Sequence, residues 1–138
     1  MNQNERRLYL IRELLKEDRR YDRFIPEEMT GSQQRDLLRS LMNVRMPAPV
    51  SEEFLSVQDE YLTESIKEKG ITDLSDLEEI EQDLYLWQGD ITTLRCDAIV
   101  NAANSQMLGC FQPLHNCIDN AIPYLITHRP ITSFKASA

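Results

Sequence analysis

The chain has 138 residues, enough for one ordinary core, and its 41% hydrophobic and 28% charged residues exclude wholesale disorder. No apolar run approaches the roughly 20 residues of a membrane-spanning helix, and the charged N-terminus lacks the apolar stretch of a signal peptide. The cytoplasm is therefore the expected location. The net charge of −8, with seven acidic and no basic residues across 73–90, disfavours nucleic acid as a partner. A nucleotide-sized ligand remains compatible, because backbone N–H groups can hold its phosphates.

The first 70 residues predict three helices, because their apolar residues recur with the helical period of 3.6. Thr30-Gly31-Ser32 is expected to open the second helix, and Pro47 and Pro49 are expected to end it. Ser51 is a suitable N-cap for the third helix, and Gly70 stands where a C-terminal cap belongs. The apolar stripes are Leu8, Ile11, Leu14 and Leu15 in the first helix, Leu37, Leu38, Leu41 and Met42 in the second, and Phe54, Leu55, Tyr61, Leu62 and Ile66 in the third.

An acidic stretch and a candidate strand come next. Residues 75–83 suit either a short helix or a solvated loop. Leucines alternate with Tyr85 and Trp87 across residues 84–87, as in a strand. We expect both aromatic side chains in the core, with a stacking wall for a ligand as the alternative.

The last part of the pattern predicts the beginning of an α/β domain. Gly89-Asp90 is a turn signal, and residues 96–100 predict a second, more buried strand that includes Cys96. Residues 115–122 predict a helix that Pro123 interrupts. Parallel sheets need several crossovers and cover on both faces, so two or three strands make only part of such a domain.

A cluster of Cys110, His115 and Cys117 is a candidate metal site. Thiolates and imidazole are the preferred ligands of zinc, and three protein ligands leave a fourth position open, as in catalytic sites. Spacing alone leaves a second interpretation equally open, namely two buried cysteines and a neighbouring surface histidine. His128 is a less favoured fourth ligand. The odd number of cysteines argues against a disulfide framework.

Three polar motifs could bind a ligand. The turn Gly89-Asp90-Ile91-Thr92 allows close approach and offers a carboxylate, although a plain surface turn explains it as well. Asn101-Ala102-Ala103-Asn104 follows an apolar strand, where α/β sheets bind ligands, but a self-stabilised asparagine turn is the simpler alternative. Asp119 could orient a water or act as a base, or be a solvated helix carboxylate.

In this order the motifs resemble the macrodomain family, most closely its zinc-containing bacterial and fungal branch, the protein–ADP-ribose hydrolases. WQGDIT at residues 87–92 is similar to the family's first ligand-binding turn, and DAIVNAAN at 97–104 to its second strand and asparagine loop. MLGCFQPLHNCIDNAI at 107–122 is similar to that branch's zinc-bearing loop. The resemblance implies an α/β fold, with a helical N-terminal extension before the first part of a three-layer α/β/α macrodomain and its incomplete mixed sheet.

The resemblance also implies a role for each residue. Asp90 would face the adenine of ADP-ribose, with Ile91 beside it, and Asn101 would lie in the ligand-binding loop. Asn104 would contact the distal ribose at the scissile bond, and Asp119 would help to activate water, which makes both catalytic candidates. The implied activity is removal of mono-ADP-ribose from modified protein side chains. The implied ligands of Zn²⁺ are Cys110, His115 and Cys117.

The sequence departs from the family pattern at Pro123, where the family continues with a histidine and a long helix. The glycine-rich phosphate-binding loop and the later strands have no counterpart. We expect a helical extension at 1–82, a partial macrodomain with the zinc loop at 83–122 and a non-matching tail at 123–138. The abrupt change suggests a frameshift, a hypothesis that resequencing the locus tests and an unchanged transcript frame overturns.

Three functional hypotheses follow. The chain is a zinc-dependent hydrolase, impaired or inactive because it is truncated, or an ADP-ribose-binding module without catalysis, or a non-functional fragment with a small acidic helical bundle. The metal cluster favours the first over the second, and the tail favours the third. The expected partners are ADP-ribose or a mono-ADP-ribosylated protein, with no nucleic acid and no membrane. The strand that begins at Cys96 would expose an unpaired edge, so low stability and little activity are expected.

Overall fold

The computed structural model describes residues 1–46, 48–106 and 109–125, without the side chains of residues 123 and 125. Within these ranges helices combine with short strands, which agrees with the predicted mixed α/β class. Pro47, His128 and most of the predicted tail lie outside them. The helices are α1 (Gln3–Lys16), α2 (Gly31–Val44), α3 (Glu52–Lys69) and α4 (Ile118–Leu125).

Local sequence signals set the ends of the first three helices. Asn2 opens α1 and Thr30 opens α2, each through a reciprocal capping box with the third helical residue. The Ser51 side chain caps α3, and Gly70 ends it with a φ of 88°, a conformation that strains any residue with a Cβ. The predictions at Thr30, Ser51 and Gly70 are confirmed, whereas Asn2 was not predicted as a cap.

The core lies between the first three helices, with α1 packed against both α2 and α3. The predicted stripe of α1 is partly wrong, because Leu10 is fully buried while Leu8 and Leu15 are only half-buried. Met42, at the edge of the α2 stripe, is also half-buried. The buried core side chains are Leu10, Ile11, Leu14, Leu37, Leu38, Leu41, Phe54, Val57, Tyr61 and Leu62.

A buried polar contact also joins α1 to α2. The Arg7 guanidinium donates to Gln34 Oε1 through Nε at 3.0 Å and Nη2 at 2.9 Å. Gln34 in turn donates to the Pro26 carbonyl at 2.8 Å. Because each of these buried polar groups has a partner, the contact fixes the position of α1 relative to α2.

Two small sheets follow α3. Strand β1 (Thr72–Asp73) pairs in parallel with β4 (Leu94–Arg95), and β2 (Glu79–Glu81) pairs antiparallel with β3 (Leu84–Tyr85). Residues 75–83 include the end of a short 3₁₀ helix (Leu74–Asp76) and all of β2, so neither a single helix nor a plain loop describes them. The predicted strand at 84–87 is confirmed only for β3. Among the described residues, none of the helices has the length and apolar character that crossing a bilayer requires.

The buried strand predicted at residues 96–100 is wrong. These residues are irregular, Cys96 is exposed, and the Val100 side chain is 92% exposed. The strand lies just before them, at β4, where β1 supplies a partner. A strand is buried only when neighbours pair with it and cover it, and no other described strand runs beside residues 96–100.

Helix α4 begins at Ile118, not at the predicted His115, and it continues through position 123. The expected interruption by Pro123 is therefore wrong. A proline has no N–H to bond the carbonyl four residues earlier, which belongs to Asp119. That carbonyl instead accepts the backbone N–H of Cys110 at 3.2 Å, so it is not left unpaired.

Candidate functional site

The three predicted metal ligands come together in the loop before α4. The Sγ atoms of Cys110 and Cys117 and a ring nitrogen of His115 all lie within 4.8 Å of one another. Both cysteines are free thiols and partly buried, and His115 is exposed. The geometry brings the three side chains together, and metal binding stays a prediction beside the alternative of two cysteines with a neighbouring surface histidine.

The donor set suits a zinc ion. Tetrahedral zinc with Zn–S near 2.3 Å and Zn–N near 2.1 Å places its sulfur and nitrogen ligands about 3.6 Å apart. The distance from Cys110 Sγ to His115 Nδ1 is 3.5 Å. Burial raises the pKa of the Cys117 thiol, and the neighbouring Cys110 thiol raises it further. A bound cation acts in the opposite direction, because it favours the thiolate.

The backbone of this loop is strained at Leu114, whose φ is 55°. A bulky residue in the left-handed region costs about 1–3 kcal/mol and persists where the surroundings hold it in place. The Leu114 side chain is 41% exposed, so its packing accounts for only part of what holds the strained backbone in place. The backbone N–H of His115 donates to the Gln112 carbonyl at 3.3 Å, which closes the turn around Leu114.

The carboxylate of Asp119 organises the asparagine loop. Asn101 Nδ2 donates to Asp119 Oδ1 at 3.2 Å, while Asn104 donates to Oδ2 from its side chain at 2.9 Å and its backbone at 3.2 Å. Asn104 also donates to the Gly109 carbonyl at 2.8 Å. Asp119 is only 8% exposed, so it is not the solvated helix carboxylate of the simpler interpretation.

One acceptor of this network has no partner. Asn101 Oδ1 is buried and receives no hydrogen bond within the described ranges. An unsatisfied buried acceptor costs about 1–3 kcal/mol, which a hydroxyl donor would relieve. The network therefore combines one carboxylate that accepts three hydrogen bonds with one amide oxygen that can still accept.

Asp90 caps the single turn Ile91–Thr93. Its carboxylate accepts from Thr92 N at 3.0 Å and Thr92 Oγ1 at 2.6 Å, and it pairs with Lys69 at 2.9 Å. Burial acts to raise the pKa of Asp90, but the hydrogen bonds from Thr92 and Lys69 outweigh it and lower that pKa. The turn packs against both α3 and α4, and α4 also carries Asp119, which holds the asparagine loop.

The aromatic side chains near this turn do not belong to the core. Tyr85 and Trp87 are half-buried, so their assignment to the core is wrong. A Cβ added at Gly89 would stand 2.1 Å from Cζ2 of the Trp87 indole, far below van der Waals contact. A side chain at position 89 would therefore have to displace the indole, which lies directly against the Gly89 backbone.

A cleft of about 280 Å³ adjoins the same turn. Its lining consists of Ile66, Ile71 and residues 92–99. Among the described residues, the three metal ligands do not line it. The cleft is thus a neighbour of the Asp90 turn and separate from the metal cluster.

Arg39 and Asn120 contact the loop of the candidate metal ligands, and neither was predicted from the sequence. Arg39 Nη2 donates to Asn120 Oδ1 at 2.9 Å, across 81 positions of sequence. Asn120 is fully buried beside Asp119, and a polar residue on an apolar helix turn is a local signal for it. Arg39 carries no local signal, because its role depends on how α2 packs against α4.

Comparison with known proteins gives this site a context. A protein named protein-ADP-ribose hydrolase from Treponema medium is 54% identical over 127 residues, covering 88% of this chain and 48% of that protein. A protein of the same name from Staphylococcus aureus is 56% identical over 88 residues, covering 63% and 33%. The chain is similar to proteins named protein-ADP-ribose hydrolase. No protein-family model matches it.

A fungal relative extends the comparison. A Fusarium oxysporum f. sp. cubense protein, named probable bifunctional ADP-ribose hydrolase/ADP-ribosyltransferase, is 44% identical over 97 residues, or 62% of this chain and 16% of that protein. The chain spans about half, or less, of the length of these curated relatives. The comparison therefore does not by itself assign the activity of these longer proteins to this chain.

Proposed function

We propose that this chain carries part of a zinc-containing macrodomain that removes ADP-ribose from mono-ADP-ribosylated protein side chains. The observation that carries the proposal is the assembly of Cys110, His115 and Cys117 within 4.8 Å in one loop. Relatives named for hydrolysis of protein-linked ADP-ribose, at 54% and 56% identity, support the reaction class.

Each candidate site residue has a proposed role in that reaction. Cys110, His115 and Cys117 would hold zinc, which when bound would supply a Lewis acid for polarising an oxygen or activating a water. Asp90 and Ile91 bind the adenine end, and Asn101 accepts a ribose hydroxyl through its unpaired Oδ1. Asn104 contacts the distal ribose and orients the scissile bond. Asp119 fixes both asparagines, and a base role for it requires that these hydrogen bonds loosen when substrate binds.

The domain organisation belongs to the same proposal. Residues 1–82 form the N-terminal extension, which is helical up to Lys69 and also carries β1 and β2. Residues 83–122 form part of the macrodomain with its zinc loop, and residues 123–138 are a tail that departs from the family pattern. Residues 96–100 stand open to solvent, with Val100 92% exposed. We therefore propose that the chain alone binds ADP-ribose weakly and turns over slowly.

One observation favours a second function, ADP-ribose binding without hydrolysis. The three hydrogen bonds that Asp119 accepts occupy most of the lone pairs that a base would use. A site in which this carboxylate only orders the loop would recognise the ligand and leave the bond intact.

Zinc content and ADP-ribose release test the proposal together. The purified chain is analysed for zinc, for binding of free ADP-ribose and for release of ADP-ribose from a mono-ADP-ribosylated protein. Cys117→Ser removes one proposed ligand, and Cys96→Ser is the matched control, because Cys96 is exposed and outside the cluster.

The expected result is one zinc per chain, lost in Cys117→Ser and retained in Cys96→Ser, with slow release of ADP-ribose. Binding of ADP-ribose with zinc but no release at any enzyme concentration supports the second function. A chain that holds no zinc and binds no ADP-ribose overturns both.

A further inference from the structure

We propose that Arg39 and Asn120 position the three metal ligands, so that helix α2 helps to set how tightly the cluster holds its metal. The inference rests on the metal site proposed above and extends it to two residues that do not belong to the donor set. Arg39 lies on α2, whereas Asn120 lies in the first turn of α4.

Asn120 holds the loop from inside. Its side chain is fully buried, and Nδ2 donates to the Cys110 carbonyl at 3.2 Å and to the Gln112 carbonyl at 3.1 Å. A buried amide with both donors engaged fixes the loop in one arrangement, because any other arrangement leaves these groups unpaired.

Arg39 closes the network from α2. Its Nη2 donates to Asn120 Oδ1 at 2.9 Å and to the His115 carbonyl at 3.4 Å. The guanidinium carbon lies 5.9 Å from the centroid of the Tyr124 ring, which adds a cation–π contact. Tyr124 itself packs against the helical core, so Arg39 is anchored from both sides.

Hydrogen bonds from the Arg39 and Asn120 side chains and from the Asn120 backbone hold all three proposed ligand residues. The Cys110 carbonyl is held by the Asn120 amide, the His115 carbonyl by Arg39, and the Cys117 carbonyl by the Asn120 backbone N–H at 3.1 Å. The strained Leu114 lies between these fixed points. Interactions that orient ligand residues typically change metal affinity by about 10–100-fold when they are removed.

The test compares zinc affinity among variants of the full chain. Arg39→Met removes both hydrogen bonds and keeps a long apolar stem, and Arg39→Lys keeps the charge with a single-point donor. Arg35→Met is the matched control, one turn earlier on the exposed face of α2. Zinc affinity is measured by competition with a chromophoric chelator, and the cobalt-substituted chains are compared by their visible absorption spectra.

The expected result is zinc affinity about 10–100-fold weaker for Arg39→Met, with altered cobalt bands, and an intermediate loss for Arg39→Lys. Arg35→Met should match the unsubstituted chain. If Arg39→Met loses helical circular dichroism, Arg39→Lys carries the comparison. Equal affinities and spectra for all four chains overturn the positioning role and leave the metal site standing. An unsubstituted chain without zinc affinity overturns the metal site, and this inference with it.

Discussion

The side-chain amide of Asn104 donates to the Asp119 carboxylate at 2.9 Å, and the Asn104 backbone N–H donates to the same oxygen at 3.2 Å. One carboxylate oxygen thus fixes both the side chain and the main chain of one residue. Asn101 is tied to the other oxygen at 3.2 Å. The asparagine loop owes its shape to a residue of α4 that follows it by 15 positions.

Asp119→Asn is expected to release the asparagine loop. An amide keeps one acceptor but turns its NH₂ toward donors, so at least one hydrogen bond to a charged group, worth about 1.5–3 kcal/mol, is lost. The Asn104 side-chain amide signals in NMR spectra should move toward solvent-exposed values, and ADP-ribose affinity should fall about tenfold or more. Asp97→Asn, at an exposed position, should change neither measurement. Intact loop signals with reduced turnover alone would show that Asp119 acts as a base.

Leu10→Ala is expected to destabilise the helical core by about 2–5 kcal/mol, because it removes a fully buried side chain and leaves a cavity. Urea unfolding followed by helical circular dichroism measures the change. Leu86→Ala deletes the same atoms at a position that is 81% exposed, and its unfolding free energy should stay within about 0.5 kcal/mol of the unsubstituted chain. Similar losses in both variants would contradict the described core.

The lowered pKa of Asp90 predicts a specific pH dependence. A carboxyl whose pKa is lower in the folded state stabilises the fold above the ordinary aspartate pKa of about 4, and that contribution disappears as pH falls through the lowered value. Thr92→Val removes the hydroxyl that donates to the carboxylate, so the Asp90 pKa should rise. NMR titration of the carboxyl carbon measures it.

Thr93→Val is the matched control for that titration. Thr93 is equally buried, but its hydroxyl donates to the backbone carbonyl of Asp90 at 2.7 Å and not to the carboxylate. The Asp90 pKa should therefore stay low in this variant. A rise of similar size in both variants would point to general loosening of the turn as the cause.

Gly89→Ala is expected to displace the indole of Trp87, because a Cβ at this position would lie 2.1 Å from the ring. Trp87 is the single tryptophan of the chain, so its fluorescence reports the change without interference. The emission maximum should move toward the longer wavelength of a solvated indole. Gln88→Ala, at an exposed neighbour, should leave emission unchanged, and an identical spectrum for Gly89→Ala would refute the contact.

The helices could be predicted because their signals are local. Thr30, Ser51 and Gly70 act within three or four residues of the ends they set, and the apolar stripe of α2 repeats within one element. The grouping of Cys110, His115 and Cys117 could also be predicted from sequence, because the three residues lie within eight positions of one another. Their role as metal ligands stays a prediction.

Long-range contacts account for what could not be predicted. The strand expected at residues 96–100 needed neighbours that the sequence pattern cannot supply. Within the described ranges the preceding strand β4 pairs with β1, and residues 96–100 have no strand partner. Pro123 was expected to break α4, because it has no N–H to donate to the Asp119 carbonyl. The backbone N–H of Cys110, outside the helix, donates to that carbonyl instead. Arg39 was missed for the same reason, since its partner is 81 positions away.

The contact of Arg39 with the loop around His115 has a consequence for modularity. A boundary drawn near residue 82 separates two stretches of sequence, yet α2 lies on one side of it and supplies a hydrogen bond to the other. Replacing the helical part with that of another protein would remove this hydrogen bond. The two parts are therefore expected to change together, as one inherited unit.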